Sequence, residues 1–255
     1  MTTKATKFIL SFVLYSIMVL GGFMKILVII PCYNEEKNIV NTVNDLKKVN
    51  VDYIVINDGS TDNSLKVLRE NNINHINLIN NVGIGGVMQT GYKYALKNNY
   101  DIAIQFDGDG QHDASYIKDL IKPIKEKRAN LVVGSRFVWN ESEFKSTAVR
   151  RLGINILSSL YKIITKKELK DMTSGFRAAD KEVIKIFAKN YPSEYPEPVT
   201  NLAISKMNIV EVPVKMKERL HGKSSITPFK SIYYMINVIF YFFIIIISRG
   251  DDYLA

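Results

Sequence analysis

A mostly parallel β-sheet with helices on both faces is the architecture this sequence predicts. Two observations carry it. Short apolar, β-branched runs alternate with amphipathic stretches from residue 25 to residue 133, the rhythm of repeated strand–helix crossovers. The runs are apolar throughout, as strands buried on both faces are.

Lys25 to Pro31 reads as the first buried strand. Asn34 is placed to cap the next helix, with Glu35 and Glu36 in its positive first turn, and Ile39, Val43 and Leu46 form its apolar stripe. Tyr53 to Asn57 is a second strand, Asp58-Gly59-Ser60 a turn, and Asp62 to Glu70 a helix. His75 to Ile79 is a third strand, followed by a helix over Gly83 to Lys97 that carries Val87, Tyr92 and Leu96. Ile102 to Phe106 is the fourth strand, Ser115 to Lys127 a helix, and Leu131 to Val133 the fifth strand. Beyond Asn140 the pattern changes. Ala148 to Ile164 reads as a helix, Asp171 to Arg177 as a polar loop, and Lys181 to Ala188 as a short helix. Tyr191 to Pro198 is a proline-broken turn, Ile209 to Val214 a strand, and Glu218 to Thr227 a polar, basic loop. The expected organisation is one domain over residues 25–228, between apolar segments at 1–24 and 229–255.

Phe8 to Met24 follows Lys4 and Lys7 and imitates a signal peptide. It lacks a small-residue cleavage site, and Lys25 opens the first strand at once. The expectation is an upstream extension or loosely attached helix, with Met24 as the start; an N-terminal anchor is the alternative. Ser231 to Ser248 is a C-terminal hydrophobic helix with Asn237 as its one strongly polar residue and Lys223, Lys230 and Arg249 nearby. Membrane contact is expected there, by spanning or by lying in the interface.

The formal charge of +9 over 255 residues favours anionic partners. Nucleic acid is not expected, because no binding motif is present and the basic residues gather near the apolar tail. Cys32 is the only cysteine, which excludes an intrachain disulfide and fits a reducing compartment.

The most informative run is Phe106-Asp107-Gly108-Asp109-Gly110-Gln111-His112. Residues i and i+2 of a strand share a face, so both acids leave a buried strand end pointing the same way. Gly108 and Gly110 let a ligand approach the backbone. Two hard oxygen donors on an open strand end suit Mg²⁺ or Mn²⁺ bound through substrate phosphates. A solvated acidic turn is the competing reading. Gly83, Gly85 and Gly86 open a helix, where backbone N–H groups suit phosphate or ribose. A dinucleotide fingerprint fails on spacing, since its last glycine would fall at Met88.

The first strand ends in Ile30-Pro31-Cys32-Tyr33-Asn34-Glu35-Glu36, the second in Ile56-Asn57-Asp58-Gly59-Ser60-Thr61-Asp62, the fourth in the acidic pair. In this order they resemble the family-2 glycosyltransferases of GT-A fold, in the branch of dolichyl- and polyprenyl-phosphate sugar synthases. The resemblance covers about Lys25 to Ile226. It implies a Rossmann-like GT-A sheet and a metal-dependent, inverting enzyme. The donor would be a UDP-, GDP- or dTDP-linked sugar. Polyprenyl phosphate is the first-choice acceptor, and a saccharide hydroxyl the alternative; a non-catalytic nucleotide-sugar-binding subunit ranks below both. By the same resemblance Pro31 and Tyr33 would line the base, Asp58 would accept from its ring N–H, and Glu35 would brace that loop. Gly83 would lie at a glycine-rich turn. Asp107 and Asp109 would hold the metal, with Gln111 adding a metal-side oxygen. Arg136, in Gly134-Ser135-Arg136, is a candidate for diphosphate charge, and Gly175 would permit a tight backbone near the sugar. Arg219, Lys223 and Ser224, in Arg219-Leu220-His221-Gly222-Lys223-Ser224, would meet an acceptor phosphate or the departing diphosphate. Glu197 stands where a catalytic base would be needed for a hydroxyl acceptor and not for an ionised phosphate. The expected location is the cytoplasmic face of a membrane, attached by the C-terminal segment.

Overall fold

A computed structural model describes residues 24–138, 148–192, 194, 196–217 and 228–248. Seven strands form one sheet: β1 (Ile26–Cys32), β2 (Asp52–Asp58), β3 (His75–Leu78), β4 (Ile102–Gln105), β5 (Leu131–Ser135), β6 (Arg177–Asp180) and β7 (Ile209–Pro213). Their spatial order is β3-β2-β1-β4-β6-β5-β7. All neighbours are parallel except β6, which runs antiparallel to both β4 and β5.

The helices are α1 (Ile39–Lys48), α2 (Ser64–Glu70), α3 (Gly83–Lys97), α4 (Ile117–Lys125), α5 (Ala148–Thr165), α6 (Lys181–Lys189), α7 (Pro196–Ala203) and α8 (Pro228–Ile247). A 3₁₀ turn, Ala114–Tyr116, precedes α4. Alternation along β1 divides the core. Leu27 and Ile29 face one cluster, built with α3 and α5–α8; Val28 and Ile30 face the other, built with α1 and α4. Fully burying such side chains is worth roughly 1.5–3 kcal/mol each, so this pleat pins the sheet between two helical layers.

Three local expectations are corrected. Asn34 does not cap α1. It sits in the left-handed region at φ 57°, and its side-chain oxygen accepts from the Thr61 and Asp62 N–H groups of the β2–α2 loop. The expected loop ending at Arg177 instead leads into β6, whose short, alanine-rich sequence carries no β-branched signal. The proline-broken turn is shorter than expected, because α7 already begins at Pro196 and prolines in a helix's first turn forfeit no intrahelical bond.

α8 packs against α5 and α7, burying Val238, Phe242 and Ile245. Tyr233, Ile236, Phe240, Phe243 and Ile247 on it are exposed. Among the described residues no helix is long and apolar enough to cross a membrane. Segment 1–23 and the loop holding Arg219, Lys223 and Ser224 lie outside the described residues.

Candidate active site

The carboxyl ends of β1, β2 and β4 meet at one edge of the sheet, because the three strands are adjacent and parallel. Ligands of open α/β sheets sit at this edge. Pro31 lies half-buried in β1, and Tyr33 beyond it is exposed. The Glu35 carboxylate accepts from the Asn38 amide at 2.6 Å. Its backbone N–H donates to Ser64 Oγ at 2.8 Å, which ties the β1 loop to α2.

On β2, Asn57 is buried and donates to Asn77 Oδ1 at 2.6 Å while accepting from Ser60 at 2.6 Å. Asp58 is also buried. Its two oxygens take the N–H groups of Val82 at 2.8 Å and Gly83 at 3.0 Å. The Gly83 N–H is thereby committed inside the protein, so this glycine works as a turn at φ 76°. Each oxygen of Asp58 keeps one lone pair for a ligand.

At the end of β4, Asp109 is buried and its Oδ1 accepts from the Gln111 N–H at 3.0 Å. The Gln111 carbonyl in turn accepts from the Lys217 N–H at 2.7 Å. Asp107 is more open. Its N–H donates to His112 Nδ1 at 3.0 Å, which leaves the ring proton on Nε2, 3.6 Å from Asp107 Oδ2. Burial pulls the His112 pKa down to about 4, so the ring is neutral at physiological pH. It stacks on Phe176 with centroids 4.7 Å apart, and Phe106 meets both rings edge-on. This aromatic floor props up the acidic loop. Gly108 serves packing rather than ligand approach, since a Cβ there would lie 2.7 Å from the Pro31 carbonyl oxygen.

Arg136, the candidate for diphosphate charge, has structural partners of its own. It is buried, and its guanidinium grips Asp171 through Nε at 2.7 Å and Nη2 at 2.6 Å, with Thr173 Oγ1 at 3.0 Å. Burial by itself would lower its pKa; the Asp171 charge and hydrogen bonds outweigh that and raise it. Asp171 is held in turn by Glu211, which accepts the N–H groups of Lys170 and Asp171 at 2.8 Å each. Asp171 and Glu211 escaped the sequence reading, because an acid in a polar loop and one in a strand carry no local signal of pairing.

Glu197, on the first turn of α7, accepts from Gln105 Nε2 at 3.2 Å. Burial raises its pKa, and the Arg177 charge opposes that rise. The edge therefore collects Asp58, Asp107, Asp109, Gln111 and Glu197. Among the described residues no group of three or more His, Cys, Asp and Glu side chains is arranged to hold a metal. Two carboxylates at one strand end do fit Mg²⁺ or Mn²⁺, whose remaining positions substrate phosphates and water take.

Comparison with known proteins agrees with this geometry. The family described as Glycosyl transferase family 2 matches residues 27–187. UDP-N-acetylglucosamine–dolichyl-phosphate N-acetylglucosaminyltransferase of Methanococcus voltae is 37% identical over 213 residues, which cover 74% of this chain and 84% of that protein. Undecaprenyl-phosphate mannosyltransferase of Micrococcus luteus is 27% identical, over 80% of this chain and 88% of that protein. Glucosyl-3-phosphoglycerate synthase from Mycobacterium tuberculosis, solved with Mn²⁺, uridine diphosphate and phosphoglyceric acid, superposes with a TM-score of 0.67. At 16% identity, over 93% of this chain and 82% of that one, the likeness speaks for a shared fold. With the acidic pair at the end of β4 and a family match over most of the sheet, the chain belongs to glycosyl transferase family 2.

Proposed function

We propose that this glycosyltransferase moves a sugar from a nucleoside-diphosphate sugar to a polyprenyl phosphate at a membrane surface, inverting the anomeric carbon. The observation that carries the reading is the pair Asp107 and Asp109 at the end of β4, on the same sheet edge as Asp58. Relatives named for dolichyl phosphate and undecaprenyl phosphate align along most of their length. The Methanococcus relative makes a UDP-linked sugar the first donor to test.

An acceptor phosphate oxygen attacks the anomeric carbon in line with the leaving diphosphate. Asp107 and Asp109 would hold Mg²⁺ or Mn²⁺, which supplies charge neutralisation on the leaving group. Pro31 and Tyr33 would flank the base, and Asp58 would accept from its ring N–H through its free lone pairs. Arg219, Lys223 and Ser224 would meet the phosphates. An ionised phosphate has no proton to give up, so Glu197 is not needed as a base in this reading. Attachment to the cytoplasmic face of the membrane would use the exposed apolar side of α8, with Tyr233, Phe240 and Phe243 in the interface.

A second reading, transfer to a saccharide hydroxyl, is favoured by one observation. Glu197 is a carboxylate with a raised pKa at this edge, as a general base requires. The experiment is a transfer screen of UDP-N-acetylglucosamine, GDP-mannose and a dTDP-sugar with Mn²⁺ or Mg²⁺. Dolichyl phosphate and undecaprenyl phosphate serve as acceptors beside an oligosaccharide acceptor. Metal-dependent product on a lipid phosphate, retained in Glu197→Gln, is expected. Product on the saccharide alone, lost in Glu197→Gln, would overturn the phosphate reading.

A further inference from the structure

Directly behind the acidic edge lies a buried polar cluster that the transfer reaction as described does not use. Arg177 of β6 is fully buried. Its guanidinium donates to Tyr191 Oη at 2.6 Å, Thr200 Oγ1 at 2.9 Å and Gln105 Oε1 at 3.4 Å. Its Nε and the hydroxyl of Tyr92 have no hydrogen-bond partner among the described residues. A buried guanidinium is costly unless its charge is answered close by. Gln105 gives part of that answer with its dipole, beside the Glu197 backbone and Asn201 side-chain oxygens at 3.5 Å. The carbonyl end faces Arg177, and the amide end donates to Glu197 Oε1 at 3.2 Å. One planar amide thus bridges a cation and an anion with each end turned to the matching charge.

The other side of this bridge is Gly175. A Cβ at residue 175 would lie 2.9 Å from Gln105 Nε2 and 3.1 Å and 3.2 Å from the two carboxylate oxygens of Asp107. The missing side chain is therefore the space in which Gln105 and Asp107 stand together. Because β6 is antiparallel, its N-terminal residue meets the C-terminal end of β4, with Arg177 paired to Gln105 in register. That reversal is what delivers both Arg177 and Gly175 to the site.

We propose that Gln105 is a positioning residue for sugar transfer: it couples the buried Arg177 to Glu197 and shares with Asp107 the gap left by Gly175. The acid placed to hold the metal and the acid on α7 are thereby held in one fixed relation at this end of β4. The proposal rests on the transfer reading above. An apolar residue at 105 would leave both Arg177 and Glu197 short of a partner, and an acid there would repel Glu197.

The test is a double-variant cycle on Gln105→Glu and Glu197→Gln. It is read as kcat/KM with UDP-N-acetylglucosamine, Mn²⁺ and dolichyl phosphate, or with the pair the screen identifies. Binding of Mn²⁺ with UDP is followed by calorimetry. Gln105→Glu should lower kcat/KM about tenfold. Adding Glu197→Gln should restore most of the loss, because the amide introduced on α7 would then donate to the acid introduced on β4 and remake the bond with reversed polarity. A residue that only supports the fold would lower the melting temperature and show no such rescue. Wild-type kcat/KM in Gln105→Glu, or losses that multiply in the double variant, would overturn the proposal.

Should Gln105→Glu not fold, Gly175→Ala decides. Its methyl must displace Gln105 or Asp107, so a folded protein with kcat/KM and Mn²⁺–UDP affinity both down about tenfold is expected. Wild-type values for both would refute the shared gap. Turnover only with a hydroxyl acceptor would remove the phosphate reading while leaving the Gln105–Glu197 coupling measurable on that acceptor.

Discussion

Asp171→Ala is the perturbation whose size the structure sets best. The Arg136–Asp171 pair has side-chain exposures of 4% and 0%. Two guanidinium bonds at 2.7 Å and 2.6 Å and the Arg136 backbone N–H at 3.1 Å converge on one carboxylate. Removing Asp171 leaves a guanidinium buried with Thr173 as a remaining partner. Breaking a buried pair in this way costs about 3–5 kcal/mol. For a domain of this size each kcal/mol moves the melting temperature by about 2–4 °C, so a fall of about 10 °C is expected. Differential scanning calorimetry on wild type, Asp171→Ala, Arg136→Met and the double variant Arg136→Met/Asp171→Leu measures it. The double variant should regain most of the loss, because a well-packed apolar pair replaces a buried ion pair at little cost. A melting temperature for Asp171→Ala within about 2 °C of wild type, on the same scale, would refute the reasoning. The same arithmetic governs any Arg136 variant: lost activity there reports the fold along with the site.

Asp109→Ala should abolish transfer yet melt close to wild type, because it removes an Oδ1 hydrogen bond worth about 1 kcal/mol; full activity of the variant in EDTA would contradict the metal role. Asp58→Asn turns one acceptor of the Val82 and Gly83 N–H groups into a donor, so a loss of about 1–3 kcal/mol in urea unfolding and weaker UDP binding are expected; an unchanged urea midpoint would argue against that clamp. Burial, with the Glu35 charge adding to it, pushes the Cys32 thiol up to about 12, so DTNB should label it only after unfolding. The unfolded chain releases this proton near 9.0 while the folded one holds it to about 12, so stability must fall as pH rises between those values. Fast native labelling at pH 8 is the contrary result.

Much of this molecule is local in origin. The strands up to β5 and the helix Gly83–Lys97 are legible because buried runs and amphipathic periods are properties of neighbouring residues. The placement of Asp58, Asp107 and Asp109 at one edge follows from the parallel order of those strands. The short strand Arg177–Asp180 was not legible, since Ala178 and Ala179 owe their strand state to partners on both sides.

By itself the sequence determined the sheet's character, the acidic pair and the edge on which it stands, since pattern and strand order suffice for these. Only the tertiary structure decided that Arg136 belongs to Asp171, that Gly83 answers to Asp58, and that Gln105 bridges Arg177 and Glu197. Those partners lie 35, 25, 72 and 92 residues apart along the chain. A buried charge takes whichever opposite charge or dipole the fold brings within hydrogen-bond reach, and no local pattern encodes that encounter.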